Sequence, residues 1–356
     1  MKPVSEAELA EIVTSAKGSF EIIGGGTRQI GRTEGDPLHT SGLSGISLYE
    51  PEALTLVAQA GTPLAEIETL LAENGQRLPF EPYDLRALQG TTGTPTIGGV
   101  VATNASGPRR IQAGACRDSL IGVRFVDGLG RIIKNGGRVM KNVTGYDLVK
   151  LLAGSHGTLG VLTEVSFKLL PASEATASVL VQEDEATSAA TMAKAMASPY
   201  DISGAAHTDG TTALRLEGLE GSVRYRSHVL ANLLAGEVAA FDWVAQRDVQ
   251  AFAGLKGDVW RISVKPSDGP ALAEALRRLG AETINFDWAG GLIWANAPEG
   301  QDLRKALGTI SGHATVIRNT FKKHRSFHPE GAAIEILSSG LRNQFDPRGI
   351  LNPERL

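Results

Sequence analysis

The chain has 356 residues, of which 42% are hydrophobic and 21% are charged, so it is long enough for two domains and has the composition of a soluble globular protein. Its formal net charge of −4 argues against a protein that neutralises the phosphates of a nucleic acid. Its single cysteine, Cys116, excludes an internal disulfide and cannot supply the four thiolates of an iron–sulfur cluster, so any redox chemistry requires a bound organic cofactor.

The N-terminal segment Met1 to Glu11 contains three glutamates and lacks the apolar stretch of a secretory signal. No apolar run in the sequence reaches the roughly 18 to 20 residues that span a bilayer. We therefore expect a cytoplasmic protein whose association with a membrane is only indirect.

The first half of the chain alternates glycine clusters with short β-rich segments. Such glycines indicate close backbone approach or turns with positive φ, because each one otherwise costs conformational entropy. Asp127-Gly128-Leu129-Gly130 is typical of a hairpin turn. The predicted strands are Phe20 to Ile23, Leu54 to Ala60, Leu120 to Val126, Arg131 to Lys134 and Val165 to Leu169.

Two helices are predicted among these strands. The first has Thr62 as a candidate cap and Pro63 at its first position, and it ends at Gly75. The second begins near Asp147. Several strands with few helices indicate an α+β domain.

After Pro171 the pattern changes to two β-α-β-β-α-β blocks that resemble ferredoxin-like units, and we expect a second domain over residues 172–325. The first block has predicted strands at Ser178 to Val181, Gly204 to His207, Ala213 to Glu217 and Ala239 to Trp243, with helices at Ala186 to Met196 and Val223 to Leu234. The second has strands at Trp260 to Val264, Glu282 to Trp288, Leu292 to Ala295 and Thr315 to Arg318, with helices at Ala271 to Leu279 and Asp302 to Leu307.

The last segment, residues 326–356, contains a predicted helix at Ala332 to Phe345 and an ending that is rich in turn-forming residues. Because this ending also contains the apolar pair Ile350 and Leu351, we expect it to fold back onto the first domain.

The segment Ile22 to Arg32 follows a predicted strand and contains three successive glycines, Gly24 to Gly26. Successive amides without a Cβ form an anion-binding nest, and nearby arginines add charge, so this loop suits a pyrophosphate. It lacks the third glycine of the Rossmann fingerprint and the Gly-Lys-Ser/Thr of a P-loop. Taken alone, a plain glycine turn at a strand end explains it equally well.

A longer run of small and hydroxyl-bearing residues extends from Gln89 to Gly107. A flat ligand fits against such a backbone, whereas the alternative interpretation is a tightly packed turn. The candidate hydrogen-bonding side chains are Thr91, Thr92, Thr96, Asn104 and Ser106.

The order of these segments, followed by Arg117-Asp118 and Gly157 to Glu164, resembles the FAD-binding domain of the vanillyl-alcohol oxidase and p-cresol methylhydroxylase (PCMH) family over residues 1–171. The resemblance implies that the first glycine loop wraps the pyrophosphate, that Gly93 to Gly107 runs along the diphosphate and isoalloxazine, and that the backbone near Gly160 lies on the adenine side. The cofactor-binding residues expected from it are Gly24, Gly25, Gly26, Thr27, Arg28, Gln29, Thr92, Gly93, Thr96, Gly98, Gly99, Thr103, Asn104, Gly107, Gly160, Val161 and Asn352.

Within that family, the length and three segments of the second half are similar to the FAD-binding (E-type) subunits of glycolate oxidase. These segments are Leu214 to Gly218, Trp260 to Val264 and Asp287 to Trp294. The His-Gly-Asp metal motif and the Gly-Glu-His-Gly-Ile-Gly-like segment of the catalytic subunits are absent, so we expect no metal and can assign no catalytic residue. No histidine stands in or beside Gly24 to Arg28, which favours non-covalent FAD.

This resemblance implies an FAD-dependent oxidoreductase that acts on CH–OH groups and oxidises glycolate, a small 2-hydroxy acid, to glyoxylate as part of a complex. The implied partners are a catalytic FAD subunit and an iron–sulfur subunit, which hold the chain at the periphery of the inner membrane. Two alternatives stay open. One is a self-sufficient FAD-dependent 2-hydroxyacid or alditol dehydrogenase, and the other is a non-catalytic scaffold subunit with a vestigial FAD site.

A few side chains have two interpretations. His156 is either a surface turn residue or a group that tunes the cofactor. Tyr146 and Asp147 are expected to start and pack a helix, with contact to the site as the alternative. Arg138 and Lys141 are candidates for contact with phosphate or substrate. The four tryptophans of the second half form either a partner surface or part of the core.

Overall fold

The computed structural model of the protein describes residues 1–137, 145–320 and 324–355. Arg138 and Lys141, the candidates for phosphate or substrate contact, lie outside the described residues. No helix in the described ranges combines the length and the apolar character that crossing a membrane requires.

The N-terminal domain is an α+β structure, as predicted. Its elements are α1 (Glu6–Ser15), β1 (Phe20–Ile23), β2 (Asp36–His39), β3 (Ile46–Glu50), β4 (Thr55–Gln59), α2 (Leu64–Glu73), β5 (Gln76–Arg77), α3 (Arg86–Gln89), α4 (Ile97–Ala102), α5 (Arg110–Ala113), α6 (Cys116–Ser119), β6 (Leu120–Val126), β7 (Ile132–Gly136), α7 (Leu148–Leu152), β8 (Val161–Lys168) and β9 (Leu170–Pro171). In the described residues, β3-β4-β8-β6-β7 form an antiparallel sheet, β1 pairs with β2 in parallel, and β5 pairs with β9. Strand β8 starts earlier than predicted, because Val161 already pairs with Val126 of β6.

The start of α2 differs from the prediction. Pro63 is the N-cap, and Thr62 does not cap the helix. The Thr62 hydroxyl instead donates to the carbonyl of Gln59 at 2.7 Å and accepts from the amide of Gly45 at 3.0 Å, which ties two loops together.

Helix α7 starts as predicted, because the Asp147 carboxylate accepts from the amide of Lys150 at 3.1 Å. Such a cap satisfies a backbone donor that the first turn of a helix leaves without a partner. Tyr146 does not pack against the helix, since it is 88% exposed. The packing predicted for Tyr146 is therefore wrong, whereas the helix start at Asp147 is correct.

The second half of the chain forms a cap domain that is built around one large sheet. Its elements are β10 (Ala175–Gln182), α8 (Glu185–Met196), β11 (Ile202–Thr208), β12 (Thr211–Gly218), α9 (Glu220–Leu234), β13 (Glu237–Val238), α10 (Trp243–Arg247), β14 (Asp258–Val264), α11 (Gly269–Arg278), β15 (Ile284–Asp287), β16 (Leu292–Ala297) and β17 (Gly312–Arg318). The strand order is β13-β10-β12-β11-β15-β16-β14-β17, so each half has the ferredoxin-like order, and the halves join where His207 of β11 pairs with Phe286 of β15. The predicted pair of βαββαβ units is confirmed at the level of topology.

Two elements of the cap were predicted wrongly. The last strand of the first unit is Glu237–Val238, and Trp243 begins a helix because the Asp242 carboxylate accepts from the amide of Ala245 at 2.8 Å. The segment predicted as a helix at Asp302 to Leu307 forms a 3₁₀ helix at Leu303–Leu307, the form that short single turns often take.

The two faces of the large sheet belong to different cores. One face packs against α8, α9 and α11 of the cap, and the other contributes Trp294 and Ile317 to the core of the N-terminal domain. Trp260, Trp288 and Trp294 are buried, and the half-buried Trp243 donates its indole N–H to Ser178 Oγ at 2.9 Å. The core interpretation is therefore correct for Trp260, Trp288 and Trp294, whereas Trp243 is only half-buried.

The tail contains helix α12 (Ala332–Phe345) and then contacts the first strand of the N-terminal domain. Leu351 forms a parallel bridge with Phe20, and the Phe20 amide donates to the carbonyl of Ile350 at 2.7 Å. Both apolar residues are buried. The domain boundaries at residues 171 and 325 stay predictions.

Candidate functional site

A cavity lies where β1 ends, and its walls come from four separate segments. The first glycine loop forms one wall and the start of α4 forms another, while the turn before β8 and the chain end close it. Segments far apart in sequence thus meet at one place. This is the groove that the two glycine-rich segments were expected to share.

The two glycine-rich segments are in direct backbone contact. A Cβ on Gly25 would stand 1.6 Å from the carbonyl oxygen of Thr94, and a Cβ on Gly93 would stand 1.7 Å from the carbonyl oxygen of Gly25. A Cβ on Gly24 would meet Thr96 Oγ1 at 2.6 Å. The glycines are therefore required by the packing of the two segments as well as by the cavity that they line.

The first loop offers hydrogen-bond donors that the protein does not use. The backbone amides of Gly25 to Arg28 donate to no described residue. Arg28 is buried, its Nη2 donates to the carbonyl of Tyr83 at 2.5 Å, and its Nε has no partner among the described residues. Free amides beside a buried cation suit a bound anion, because an unpaired buried donor otherwise costs about 1 to 3 kcal/mol.

Arg355 adds a second cation to this cavity. Its Nε is also buried without a hydrogen-bond partner in the described part of the chain, and its guanidinium lies 3.6 Å from the carboxylate of Glu21. Burial lowers the pKa of both Arg28 and Arg355, and the charges of nearby acidic groups oppose this effect. The donor set therefore fits a pyrophosphate, which is the part of FAD that needs such donors.

The N-terminal end of α4 is held close to the neighbouring strand. Thr96 Oγ1 accepts from the amide of Gly99 at 3.3 Å, and Thr103 Oγ1 donates to the carbonyl of Gly99 at 2.8 Å. A Cβ on Gly98 would stand 2.7 Å from Cβ and the carbonyl oxygen of Ala60. The small residues thus let this segment approach the strand and form one flat wall of the cavity.

His156 and Asn352 close the opposite side. Asn352 Oδ1 accepts from the amide of Ile22 at 2.8 Å, and its Nδ2 donates to the carbonyl of His156 at 2.7 Å. The His156 ring packs edge-on against Phe327 at 4.7 Å between centroids and lines the cavity. Burial, and then the charge of Arg355, lower the pKa of His156 to about 3, so the ring is neutral at physiological pH. The surface-turn interpretation of His156 is therefore wrong.

Twelve of the residues expected to bind the cofactor line this cavity: Gly24, Gly25, Gly26, Thr27, Arg28, Gln29, Thr96, Gly98, Gly99, Thr103, Gly160 and Asn352. Five others lie outside its lining: Thr92, Gly93, Asn104, Gly107 and Val161.

The positions of those five have clear structural reasons. Gly93 packs against Gly25, and Val161 lies in the apolar core behind the cavity. Asn104 Oδ1 accepts from the amide of Arg117 at 3.0 Å. The carbonyl of Gly107 accepts from the indole N–H of Trp288 at 3.0 Å, while Thr92 is exposed.

Sequence reasoning missed Arg355 and Glu21 as lining residues. Arg355 follows Asn352 by three positions, so the turn that was expected to bring Asn352 to the site carries Arg355 with it. Glu21 is an acidic residue in a predicted strand and gives no signal of its own.

A second, larger cavity of about 1450 Å³ adjoins the first, because Glu21, Gln29 and Arg355 line both. It lies between the N-terminal domain, β17 of the cap and α12, where His313 and Thr315 of β17 line it. In the ranges that the structure describes, no three His, Cys, Asp or Glu side chains are grouped to hold a metal ion.

The comparisons with known proteins agree with this geometry. The family model described as "FAD binding domain" matches residues 1–136. Glycolate oxidase subunit GlcE of Escherichia coli (strain K12) is 38% identical over 317 residues, which are 88% of this chain and 84% of GlcE. The chain therefore belongs to the same FAD-binding family as GlcE. It is therefore an FAD-linked oxidoreductase, and its cofactor is FAD.

Other relatives have a lower sequence identity to this chain or align with a smaller share of it. Glycolate oxidase subunit GlcD of Bacillus subtilis (strain 168) is 29% identical over 67% of this chain and 51% of GlcD. Among solved structures, p-cresol methylhydroxylase with substrate bound has a TM-score of 0.72 at 14% identity and is matched over 100% of this chain and 88% of its own. Alkyldihydroxyacetonephosphate synthase has a TM-score of 0.71 at 16% identity, over 100% of this chain and 77% of its own. These likenesses confirm the predicted PCMH-type α+β fold.

Proposed function

We propose that this chain is the FAD-binding subunit of a complex that oxidises glycolate to glyoxylate, and that it holds FAD non-covalently between its two glycine-rich segments. One observation carries the proposal. The amides of Gly25 to Arg28 and the Nε atoms of Arg28 and Arg355 are donors without a described partner, and the residues that carry them all line one cavity. The similarity to GlcE over most of the chain supports glycolate as the substrate of the complex.

In this proposal the loop amides, Arg28 and Arg355 bind the diphosphate. Gly98, Gly99 and Thr103 form the wall along which the cofactor extends, and the backbone near Gly160 lies on its adenine side. The outlying Thr92, Gly93, Asn104, Gly107 and Val161 support these segments from behind or beside the cavity. When bound, FAD supplies two-electron redox chemistry, while the protein binds and orients it.

The surroundings of the site support non-covalent binding. Cys116 is fully buried, and burial raises the pKa of its thiol far above the usual value, so it is a poor nucleophile. Its amide donates to Ser106 Oγ at 2.9 Å inside the protein core.

The partners in this proposal are a catalytic flavoprotein subunit and an iron–sulfur subunit. The described residues hold no metal-binding cluster of the kind that orients a hydroxy acid, and a single cysteine cannot ligate an iron–sulfur cluster. Proton removal and onward electron transfer are therefore assigned to the partners. We further propose that the complex is cytoplasmic and associates with the inner membrane only at its periphery.

The deciding experiment compares the chain expressed alone with the chain expressed beside its genetic neighbours. We expect the chain alone to purify with about one FAD per chain and to keep its flavin oxidised when glycolate is added. The co-purified complex is expected to contain iron and to reduce its flavin with glycolate. Denaturation in acid should release the FAD from the chain.

Two other results of this experiment would support the alternative functions. Flavin bleaching by glycolate or D-lactate in the chain alone would show a self-sufficient dehydrogenase. A colourless, folded chain that still joins the complex would show a scaffold subunit with a vestigial site. Either outcome contradicts the proposed division of labour.

A further inference from the structure

Two arginines in the crevice between the N-terminal domain and the cap share one aromatic ring. The guanidinium carbon of Arg110, in α5, lies 4.3 Å from the ring centroid of Trp288, and that of Arg261, in β14, lies 5.0 Å from it. Trp288 is buried and is fixed by its hydrogen bond to the carbonyl of Gly107. One rigid ring therefore holds a cation from each domain in the same neighbourhood.

Neither arginine is directly bonded to an acidic side chain. The side chains of Arg110 and Arg261 form no ion pair or hydrogen bond with any described residue, and Arg261 Nε is buried without a partner. Burial, and then the charge of Arg261, lower the pKa of Arg110. Asp118 near Arg110 and Asp287 near Arg261 oppose this effect of burial. Two half-buried like charges that form no direct ion pair are unfavourable, and a bound anion relieves both the repulsion and the unpaired donor.

Arg215 shows what a completed site of this kind looks like in the same protein. It also stacks on a tryptophan, with its guanidinium carbon 4.7 Å from the ring centroid of Trp243. Its two terminal nitrogens bind both carboxylate oxygens of Glu81, at 2.9 and 2.8 Å. Arg261 has the stacking ring but forms no hydrogen bond to a carboxylate. The planar guanidinium matches a carboxylate through two parallel hydrogen bonds, whereas a lysine offers only a point charge.

Arg261 lies one strand away from a residue that lines the larger cavity. Its cross-strand partner in β17 is Thr315, so both side chains lie on the sheet face that is turned towards the N-terminal domain. Thr315 and His313 line the larger cavity, and Arg261 and Arg110 both lower the pKa of His313 after burial does. Arg110 follows Gly107, the end of the segment expected to run along the isoalloxazine, by three residues. His313 thus connects the wall of this cavity with the neighbourhood of both arginines.

We infer that Arg110 and Arg261 bind the carboxylate of a small 2-hydroxy or 2-oxo acid in the crevice between the N-terminal domain and the cap. The identity of the acid rests on the proposed function, whereas the carboxylate site rests on the two unpaired arginines. Arg110 and Arg261 position the acid, and they move no proton or electron.

The test titrates the FAD-loaded full-length chain with oxalate, a two-carbon acid that the flavin does not oxidise, and measures binding by calorimetry. Glycolamide, which lacks the carboxylate, and inorganic phosphate are titrated in parallel. We expect saturable oxalate binding, weaker by about tenfold or more in Arg110→Gln and in Arg261→Gln, because each removes a charged hydrogen-bonding group. Glycolamide and phosphate should bind much more weakly.

Two further variants serve as controls. Arg224→Gln removes the same charge from the exposed face of α9 and should leave oxalate affinity unchanged. Arg261→Lys keeps the positive charge but lacks the paired donors of the guanidinium, so it should retain part of the oxalate affinity. If Arg261→Gln does not fold, Arg261→Lys tests the role of Arg261 in its place. FAD content should be equal in all variants, because these arginines are not part of the diphosphate cavity.

Oxalate affinities that do not change in Arg110→Gln and Arg261→Gln, or equal affinity for phosphate, would overturn the carboxylate site while FAD binding still supports the proposed function. If the chain purifies without FAD, the proposed function fails instead. The same calorimetric titration of the flavin-free chain then still decides whether the two arginines bind a carboxylate.

Discussion

Arg109 of the N-terminal domain and Glu217 of the cap form a buried, bidentate ion pair. Nε and Nη2 of Arg109 lie 2.9 and 2.7 Å from the two carboxylate oxygens of Glu217. Arg77 donates to the same carboxylate at 2.7 Å, and Glu81 binds Arg215 beside it. This network joins the two domains at the edge of the crevice, so it fixes the relative position of the cavity walls.

Replacing Glu217 by glutamine should lower the free energy of unfolding by about 3 to 5 kcal/mol, because it leaves buried arginine charges without their counter-ion. The control is Glu274→Gln, which removes an exposed partner of Arg278 and should change stability by less than about 1 kcal/mol. Chemical denaturation measures both values. Equal effects of the two substitutions on the free energy of unfolding would show that the network stabilises the protein no more than an exposed ion pair does.

The same network predicts a dependence on pH. Burial by itself raises the pKa of Glu217, but the hydrogen bond and charge of Arg109, followed by the charges of Arg215 and Arg77, outweigh it and hold the pKa far below its usual value. A lowered folded-state pKa stabilises the protein above the unfolded-state pKa of about 4.3 and loses this contribution as the pH falls below it. The stability gap between wild type and Glu217→Gln should therefore narrow in acid.

The Gly25→Ala variant should lose most of its FAD. The new Cβ would stand 1.6 Å from the carbonyl oxygen of Thr94, so the two glycine-rich segments must separate, at about 1 to 3 kcal/mol for an overpacked site. Gly18→Ala is the matched control, since a Cβ there has no neighbour within 4 Å. The ratio of flavin to protein absorbance after gel filtration measures the result. Full FAD content in Gly25→Ala would contradict the proposed site.

Asn352→Asp should weaken both the fold and FAD binding. The aspartate still accepts from the amide of Ile22, but it places an oxygen against the carbonyl of His156, to which Asn352 Nδ2 now donates. Loss of such a buried hydrogen bond costs about 1 to 3 kcal/mol, and the new negative charge lies beside the proposed diphosphate site. Asn232→Asp, on the exposed side of α9, introduces the same charge without these contacts. Thermal unfolding with and without added FAD separates the two effects.

The parts of this structure that the sequence predicts are those with local signals. Element order and hydrophobic pattern predicted the ferredoxin-like units, and clustered glycines predicted the loop that contains Gly25. The prediction of a strand ending at Trp243 was wrong because Asp242 caps a helix there. Such a cap is a local hydrogen bond that an apolar pattern does not reveal.

Contacts made by distant segments were harder to predict. Arg355 reaches the cavity only because the tail pairs with Phe20, and His156 lines it only because Asn352 and Phe327 hold the turn in place. The missing hydrogen-bond partner of Arg261 Nε is likewise invisible in sequence, because it depends on how the folded cap places the neighbouring side chains.

Asp287 should make the protein less stable as the pH rises from acid to neutral. Its side chain is buried at the crevice, and it accepts from the amide of Trp288 at 2.7 Å. Burial raises the pKa of Asp287 to about 7, against the opposing effects of the Trp288 amide, Arg215 and Arg261, while Glu81 adds to the rise. Because the unfolded carboxyl ionises near pH 3.9, the unfolded state releases its proton first, and stability falls between about pH 4 and pH 7.

The Asp287→Asn variant removes this titration while it keeps an oxygen for the Trp288 amide. We expect the variant to be close to wild type in stability near pH 4 and more stable by about 1 to 3 kcal/mol above pH 7, where the wild-type carboxylate is buried and charged. Asp209→Asn, at an exposed turn, should show no such difference between the two pH values. Denaturation curves across this pH range measure the effect. A stability difference that is constant with pH would show that Asp287 keeps one protonation state throughout and is compensated by Arg215 and Arg261.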